Sequence, residues 1–221
     1  MRQILILLAL LAFVPLAPAA EWSDDFNSSL DRWLLPLPQH WKHGSEAGNG
    51  HLSLVVGRPI GTPRRPVKFA ILKEACVSDF DLDVRMRRNE KSLIITFGYQ
   101  DRTRFYYTHI SSDDGDHSVH NGIFKVFGGS RYRIAGLGSE PALPTQEWTK
   151  IRVVRDVHSG KVEVYAGDDP KPRFEAIDSS FKYGRVGLGS FDETGDFDDF
   201  GLSGEPTDQC PSDDLSPLDP S

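Results

Sequence analysis

Amphipathic helical patterns are absent from the long middle part of this sequence. The segments SDFDLDVRMRR, SLIITFGYQD and RFYYTHI follow one another there and are separated only by short polar turns. Each segment has the length and the alternating period of a β-strand. Consecutive short strands without helices between them argue against an α/β fold and predict an antiparallel all-β domain, either a sandwich or a barrel.

Long apolar runs are absent as well, apart from one near the N-terminus. Residues 4–14 form that run, Arg2 precedes it and Ala17-Pro18-Ala19 follows it. These are the parts of a secretory signal peptide, with cleavage after Ala19. The run is too short for a spanning helix, and the cleavage point lacks the cysteine of a lipoprotein. We expect residues 1–19 to be removed and the protein to be secreted or periplasmic, with no integral membrane segment.

Basic residues are outnumbered by acidic ones. The chain has 25 Lys and Arg against 32 Asp and Glu, a formal net charge of −7. Removal of residues 1–19 takes away Arg2 and no acidic residue, which changes −7 to −8. An acidic domain is repelled by nucleic acid and by anionic membrane surfaces. The charge argues against nucleic acid as a partner, and neutral ligands such as sugars suit it better.

Cysteine is scarce, since the sequence has only Cys76 and Cys210. In an oxidising compartment these two residues can form a disulfide. The closed loop would be long, so the chain-entropy model gives a stabilisation of about 4–5 kcal/mol. The alternative is two free thiols, with Cys76 as a small buried residue at the start of a strand. We predict the pairing, which would also fasten the C-terminal tail to the domain.

Established catalytic motifs are missing too. No G-x-S-x-G, H-E-x-x-H or P-loop sequence occurs, and no repeat recurs at a fixed period. Asp192 and Glu193 are adjacent, so on a strand their side chains would point to opposite faces. That arrangement argues against two carboxylates on either side of one glycosidic bond.

One domain accounts for most of the chain. About 185 residues, from 20 to 204, carry the strand pattern, which is enough for a two-layer core. In RFYYTHI both faces carry aromatic residues, so the alternation leaves the core side of this strand open. Residues 205–221 are polar, acidic and rich in proline, which is typical of a disordered tail. In FDLDVRMRR the alternation assigns to the core Phe80, Leu82, Val84 and Met86.

Several segments resemble a known superfamily. The matching pieces span residues 22–204 and are DDF…W, GNGHLSL, DFDLDVRMR, ITFGYQD…FYYTHI, EWTKIRVVRD…GKVEVYAGDD and GRVGLGSFDETGDFDDFGLSG. In this order they resemble the concanavalin A-like lectin/glucanase superfamily, and more closely the 3-keto-disaccharide hydrolase domain. The resemblance implies a two-sheet antiparallel jelly-roll sandwich whose concave sheet carries a carbohydrate groove. The E-x-D-x-x-E strand of family-16 glucanases is absent, which counts against that chemistry.

Six side chains on consecutive predicted strands are candidates for this groove. A sugar ring needs a flat aromatic surface for its CH face and planar polar groups for its hydroxyls. The alternative is ordinary cross-strand packing of the rings and solvation of the charged groups. If the chain acts on 3-keto sugars, as the resemblance implies, a histidine would remove an acidified proton. The predicted catalytic residues are His109 and His120, and the predicted ligand-binding residues are Arg87, Tyr99, Tyr107 and Lys125.

Two acidic segments are candidates for metal binding. The loop HISSDDGDHSVH combines imidazole and carboxylate groups, but its spacing matches no zinc or EF-hand signature and also suits a hairpin turn. The segment SFDETGDFDDF, with Asp24 and Asp25, offers oxygen ligands for a calcium ion that joins the first and last strands. Resemblance to jelly-roll carbohydrate domains favours such an ion, and the alternative is a charged strand edge. The predicted calcium ligands include Asp25 and Asp199.

Two functions from different classes follow from these observations. The first is a secreted jelly-roll domain that interacts with carbohydrate and hydrolyses or eliminates glycosidic 3-keto disaccharides. The second is a non-catalytic module that binds a glycan or another exported protein. A groove in which a base and an acid or a metal converge would favour the first function. Aromatic residues without such groups would favour the second.

Overall fold

The computed structural model describes residues 19–57, 65–113, 120–137 and 141–210. The predicted signal peptide lies outside these ranges, apart from its last residue. The described residues form fourteen β-strands and one short 3-10 helix, Pro38–His40. The strands are β1 Ala20–Asp24, β2 Trp33–Leu34, β3 Trp41–Glu46, β4 Asn49–Leu54, β5 Lys68–Arg88, β6 Ser92–Asp101, β7 Arg104–Ser111, β8 Gly122–Phe127, β9 Ser130–Ala135, β10 Thr149–Asp156, β11 Lys161–Ala166, β12 Phe174–Ile177, β13 Gly184–Ser190 and β14 Gly195–Pro206.

Strand β5 joins two sheets. Its 21 residues change partners near Val77, which pairs with Gly184 of β13 and with Pro206 of β14. Before Val77, β5 pairs with β2 and β13, and after it with β10 and β14. The alternation in VKFAIL, residues 67–72, predicts a strand separate from SDFDLDVRMRR. The structure has one, because the residues that connect VKFAIL to SDFDLDVRMRR are also extended and Cys76 pairs with Arg185.

The two sheets form a sandwich. Sheet A consists of β2, the first half of β5, β13, β6, β7, β8 and β9 in that order. Sheet B consists of β12, β11, β10, the second half of β5 and β14, with β1 and the β3–β4 hairpin along the far edge of β14. Each strand pairs antiparallel with its neighbours. The predicted antiparallel all-β jelly-roll sandwich is confirmed.

The main core lies between the sheets. Leu82, Val84 and Met86 of β5 are fully buried there, as the alternation predicts. On β7, Tyr106 and Ile110 belong to the same core. This settles the face of RFYYTHI that the sequence leaves open, because alternate residues of a strand point to opposite sides of its sheet.

A disulfide ties the C-terminal segment to the sandwich. Cys76 and Cys210 are bonded with their Cα atoms 5.9 Å apart and a sequence separation of 134. The predicted pairing is confirmed. Strand β14 continues to Pro206, past the predicted domain end at residue 204, and the Thr207 N–H donates to the Cys76 carbonyl at 3.0 Å. Residues 211–221 of the predicted tail lie outside the described residues. Within the described ranges, no helix has the length and apolarity needed to span a membrane.

Candidate functional site

A second buried cluster lies on the outer face of sheet A, the face turned away from sheet B. Phe105 and Tyr107 of β7 point to this face because Tyr106 points to the core between the sheets. We name the cluster the aromatic layer. Its members, each at most 5% exposed, are Phe69, Ile71, Ile94, Tyr99, Phe105, Tyr107, Phe124, Val126 and Phe191.

The rings of the aromatic layer pack against one another. Tyr107 stacks on Phe124 with ring centroids 5.0 Å apart. Tyr99 contacts Phe69 and Phe105 at 5.6 and 5.5 Å. Because Tyr99 and Tyr107 are both buried, neither presents an open ring to solvent. These two predicted ligand-binding residues therefore support the face by packing and do not form an exposed stacking platform.

A chain of hydrogen bonds runs from a carboxylate to an imidazole at one end of this face. The Ser92 N–H donates to Glu193 Oε2 at 2.6 Å, and the Ser92 hydroxyl donates to the same oxygen. Ser92 Oγ also lies 2.8 Å from His109 Nε2. Since the hydroxyl gives its one proton to Glu193, we assign the proton of the second bond to His109 Nε2.

A second pair of imidazole and carboxylate lies beside the first. His120 Nδ1 is 2.6 Å from Asp113 Oδ2. Asp113 is held at the base of the β7–β8 connection, where its N–H donates to Ser111 Oγ at 2.9 Å and its carbonyl accepts from Asn121. Asn121 Oδ1 in turn accepts from the Ser111 N–H at 2.8 Å. Because Asp113 binds Nδ1, Nε2 is the His120 nitrogen that remains for chemistry.

The two pairs meet through their rings. The centroids of His109 and His120 are 5.4 Å apart, and His109 stacks on Phe191 at 5.1 Å. His109 is 1% exposed, whereas the side chain of His120 is 26% exposed. A ligand would therefore meet His120 first, with His109 behind it. We name His109, Ser92, Glu193, His120 and Asp113 the histidine–carboxylate cluster.

Two arginines of β9 extend over the same face. The Arg131 guanidinium lies 5.0 Å from the ring centroid of Phe191, and that of Arg133 lies 4.7 Å from the ring centroid of Phe124. Cations over aromatic faces are held there by the ring quadrupole. The strands β7, β8 and β9 thus place imidazole, carboxylate and guanidinium groups on one side of the sheet.

Burial changes the protonation behaviour of this face. Burial raises the pKa of Glu193, and the hydrogen bonds from Ser92 reverse only part of that rise. Burial also raises the pKa of Tyr107 to about 12, although the charge of Arg131 opposes it. Glu193 therefore takes up a proton at higher pH than an ordinary glutamate does. A carboxyl group of this kind beside imidazoles can both donate and accept protons.

Arg87 does not belong to this face, and the prediction that it meets His109 on one sheet is wrong. Strand β5 crosses into sheet B before it reaches Arg87. There the guanidinium binds Asp196 at 2.9 Å and Glu46 at 2.7 Å and lies 4.6 Å above the ring of Trp148. The sequence could not show this crossing, because one uninterrupted strand serves both sheets.

Lys125 is also separated from the predicted set. It lies on β8 between Phe124 and Val126, which belong to the aromatic layer, so its side chain points to the opposite face. Its Nζ binds Asp178 Oδ2 at 2.5 Å and Ser180 Oγ at 2.9 Å. Of the six predicted groove residues, Tyr107, His109 and His120 come together, and Tyr99 lies further along the same face.

The predicted calcium ligands have other partners. Asp199 binds Arg85 at 3.1 Å, and Asp25 accepts a hydrogen bond from the Asn27 N–H at 3.0 Å. In the part of the chain that the structure describes, no group of three His, Cys, Asp or Glu side chains has the arrangement of a metal site. In the loop after Asp113, residues 114–119 lie outside that part. Calcium binding stays a prediction, which melting curves with a chelator and with added calcium would test.

Sequence reasoning missed Ser92 and Glu193 as partners of His109. Ser92 begins β6 and Glu193 follows β13, so 101 positions separate two residues that share two hydrogen bonds. No local motif marks such a contact. Sequence reasoning also missed Arg131 and Arg133, because the polar segment that forms the edge strand β9 lacks clear alternation.

Comparisons with known proteins agree on the fold. No protein-family model and no curated protein sequence matches the chain. The carbohydrate binding module CBM66 from Bacillus subtilis is similar in structure, with a TM-score of 0.56 and 15% identity over 76% of this chain and 93% of that one. The winged bean acidic lectin, solved with methyl-α-D-galactose, gives 0.51 and 10% over 86% of this chain and 100% of the lectin.

A similar domain also forms part of a longer protein. The GH43 protein BlXynB from Bacillus licheniformis gives a TM-score of 0.58 and 16% identity over 81% of this chain, but over only 38% of its own length. Identities this low establish the fold alone. They do not show that the chain belongs to the 3-keto-disaccharide hydrolase family. The chain is therefore a β-sandwich of the kind found in lectins and carbohydrate-binding modules.

Proposed function

We propose that this protein is an exported carbohydrate-binding domain whose ligand site is the histidine–carboxylate cluster. The observation that carries the proposal is the convergence of His109, His120 and Glu193 at one end of the outer face of sheet A. Imidazole, carboxylate and guanidinium groups form the paired hydrogen bonds that vicinal sugar hydroxyls require. The carbohydrate-binding proteins of the same fold, the disulfide and the acidic net charge support the proposal.

The partly exposed members of the face would make the direct contacts. His120 offers Nε2, and Arg131 offers several N–H donors in a plane. His109 would act from behind His120 as a positioning residue, since it is buried against Phe191. Tyr107 and Phe124 would keep the floor of the site rigid and apolar.

A finer proposal is cleavage of a 3-keto disaccharide by elimination. The C3 carbonyl of such a sugar acidifies the proton on C2, which His120 Nε2 would remove. The C2–H electron pair forms the C1–C2 double bond, and the glycosidic C1–O bond breaks. Glu193, whose pKa burial raises, would give a proton to the leaving oxygen. Arg131 would stabilise the negative charge that develops on the carbonyl oxygen.

Glycan binding tests the coarser proposal. A glycan array would identify the ligand, and calorimetry would compare wild type with His120→Ala and with His158→Ala, an exposed histidine in the β10–β11 turn. Loss of one hydrogen bond to a charged or polar ligand group weakens binding about tenfold or more. We expect that loss for His120→Ala and unchanged affinity for His158→Ala. Absence of glycan binding, or equal affinity in the two variants, would refute the proposed site.

An activity screen separates the enzyme from the binding module. The wild-type protein is incubated with 3-keto and with unmodified disaccharides, with and without divalent metal. Product from the 3-keto sugars that disappears in His120→Ala supports elimination. Glycan affinity without turnover of either sugar class supports the non-catalytic alternative.

A further inference from the structure

Strand β9 carries two arginines on the outer face of sheet A. Arg133 lies opposite Phe124 of β8 in register. Arg131 lies opposite Val126. Opposite residues of paired strands point to the same side of a sheet, and both partners on β8 belong to the aromatic layer. The two arginine side chains therefore share the face that holds the histidine–carboxylate cluster.

Gly122 lets one of these arginines reach the cluster. It lies opposite His109 in register, and a Cβ atom on it would be only 3.0 Å from Arg133 Nη1. The guanidinium therefore occupies the place that a side chain beside His109 would fill. The same nitrogen donates to the Asn121 carbonyl, and Asn121 donates to the carbonyl of Asp113. Arg133 is thus joined to the cluster through one residue.

The charge of Arg131 is available to a ligand. Its side chain is exposed, and the arginine–carboxylate ion pairs in the described part of the chain all involve other arginines. The two carboxylates of the cluster are each hydrogen-bonded within it. Burial lowers the pKa of Arg133, and the positive charge of Arg131 lowers it further. Two like charges that repel each other favour an anion bound beside them.

We propose that the ligand of this site is an acidic sugar, a uronic acid whose carboxylate is bound by Arg131 and Arg133. The proposal rests on the glycan site proposed above and names the class of sugar that it takes. A guanidinium presents parallel N–H donors that match the two oxygens of a carboxylate. The sugar ring then extends toward His120. The acidic net charge of the chain is no obstacle, because exposed charges more than about 8 Å away are largely screened at physiological salt.

Matched acidic and neutral sugars test this proposal. Oligomers of glucuronic acid and of galacturonic acid are compared by calorimetry with the same oligomers after methyl esterification, which removes the charge and keeps the ring. Because a carboxylate–guanidinium pair forms charge-assisted hydrogen bonds, we expect an acidic oligomer to bind at least about tenfold more tightly than its ester. This preference should shrink as the salt concentration rises.

Three variants identify the group responsible. Arg131→Gln removes an exposed side chain without the loss of an ion pair, so it should fold and lose the preference for the acid. Arg104→Gln is the matched control, because it removes the same charge from the start of β7, where Arg104 binds Asp101, and it should keep the preference. Arg131→Lys keeps the charge without the planar fork and should recover part of the preference.

The outcomes separate the acidic ligand from the glycan site. Equal affinity for acid and ester, or a preference for the acid that survives Arg131→Gln, would overturn the proposal. Binding of neutral glycans alone, weakened in His120→Ala, would leave the glycan site in place and refute only the acidic ligand. Absence of binding by acidic and neutral sugars alike would refute both.

Discussion

At the residue scale, Glu193 is held differently from Asp196, Asp199 and Asp113. Asp196 and Asp199 bind arginines, and Asp113 binds a histidine. The hydrogen bonds of Glu193 come instead from the neutral N–H and hydroxyl groups of Ser92. Burial of a carboxylate without a directly bonded cation raises its pKa, and burial is the largest cause of the raised pKa of Glu193. The fold therefore lets this residue take up a proton at higher pH than an ordinary glutamate does.

Glu193→Gln should stabilise the protein at neutral pH. The pKa of the Glu193 carboxyl is higher in the folded protein than in the unfolded chain, where it is about 4.3. The free energy of unfolding therefore falls as the pH rises from the unfolded value through the folded value. The neutral amide does not titrate, so the variant escapes this loss. We expect its free energy of unfolding to exceed that of wild type at pH 7 and to match it near pH 4. Thermal melts from pH 3 to 8 measure this, and a less stable variant at pH 7 would contradict the expectation.

The two histidines of the cluster should respond differently to truncation. His109 is buried and bonded to Ser92, so His109→Ala should lower the free energy of unfolding by about 1–3 kcal/mol. His120 is partly exposed, and His120→Ala should cost less than about 1 kcal/mol. Urea denaturation gives both values, and glycan affinity is then compared per folded molecule. Equal stability losses would show that the two rings are equally structural.

At the element scale, Asp178 connects the segment between β12 and β13 to sheet A. Its carboxylate accepts hydrogen bonds from Lys125 Nζ at 2.5 Å, from the Ser180 N–H at 2.8 Å and from the Tyr106 hydroxyl. Burial alone would raise the pKa of Asp178, but these bonds more than offset it and hold the pKa far below its usual value. The contact fixes the side of the sandwich where β12 approaches β8 and β9.

Asp178→Asn should therefore destabilise the protein most at neutral pH. The pKa of the Asp178 carboxyl is lower in the folded protein than in the unfolded chain, where it is about 3.9. The ionised carboxylate therefore stabilises the folded state above about pH 3.9, and this stabilisation is lost as the pH falls toward the folded value. We expect a loss of about 2–3 kcal/mol at pH 7 that shrinks below pH 4. The control is Asp169→Asn, in an exposed turn, for which melts should match wild type within about 0.5 kcal/mol. A penalty independent of pH would show that the charge of Asp178 does not matter.

Element prediction from the sequence succeeded for strands with strong alternation and failed at the edges. β6 and β7 begin where the pattern predicts, at Ser92 and Arg104, although both of their faces are buried. The edge strands β3 and β9 escaped detection because their exposed sides are polar and they pair along only one side. β9 carries Arg131 and Arg133, so this failure hid part of the candidate site.

At the scale of the whole molecule, the disulfide between Cys76 and Cys210 should dominate the response to reduction. It joins the crossing region of β5 to the segment after β14 across 134 positions. Closure of so long a loop stabilises the folded state by about 5 kcal/mol in the chain-entropy model. We expect reduction, or the double change Cys76→Ser with Cys210→Ser, to lower the melting temperature by more than about 10 °C.

Material purified from the periplasm checks the bond itself. Non-reducing mass spectrometry should show one linked peptide pair and no free thiol. Two free thiols in that material would refute the pairing. A melting temperature unchanged by reduction would instead show that the bond forms but contributes little stability.

The sequence by itself determined the all-β fold class and the core side of FDLDVRMRR, and it predicted the pairing of the only two cysteines. These properties depend on the alternation of neighbouring residues and on the number of cysteines, and both can be read from the sequence without knowing which strands pair. Only the tertiary structure decided that Arg87 and His109 lie on different sheets, because the change of partners within β5 near Val77 leaves no mark in the alternation. Only the tertiary structure brought Glu193 to Ser92 and His109, because contacts across 101 positions depend on how the strands are ordered in the sheet.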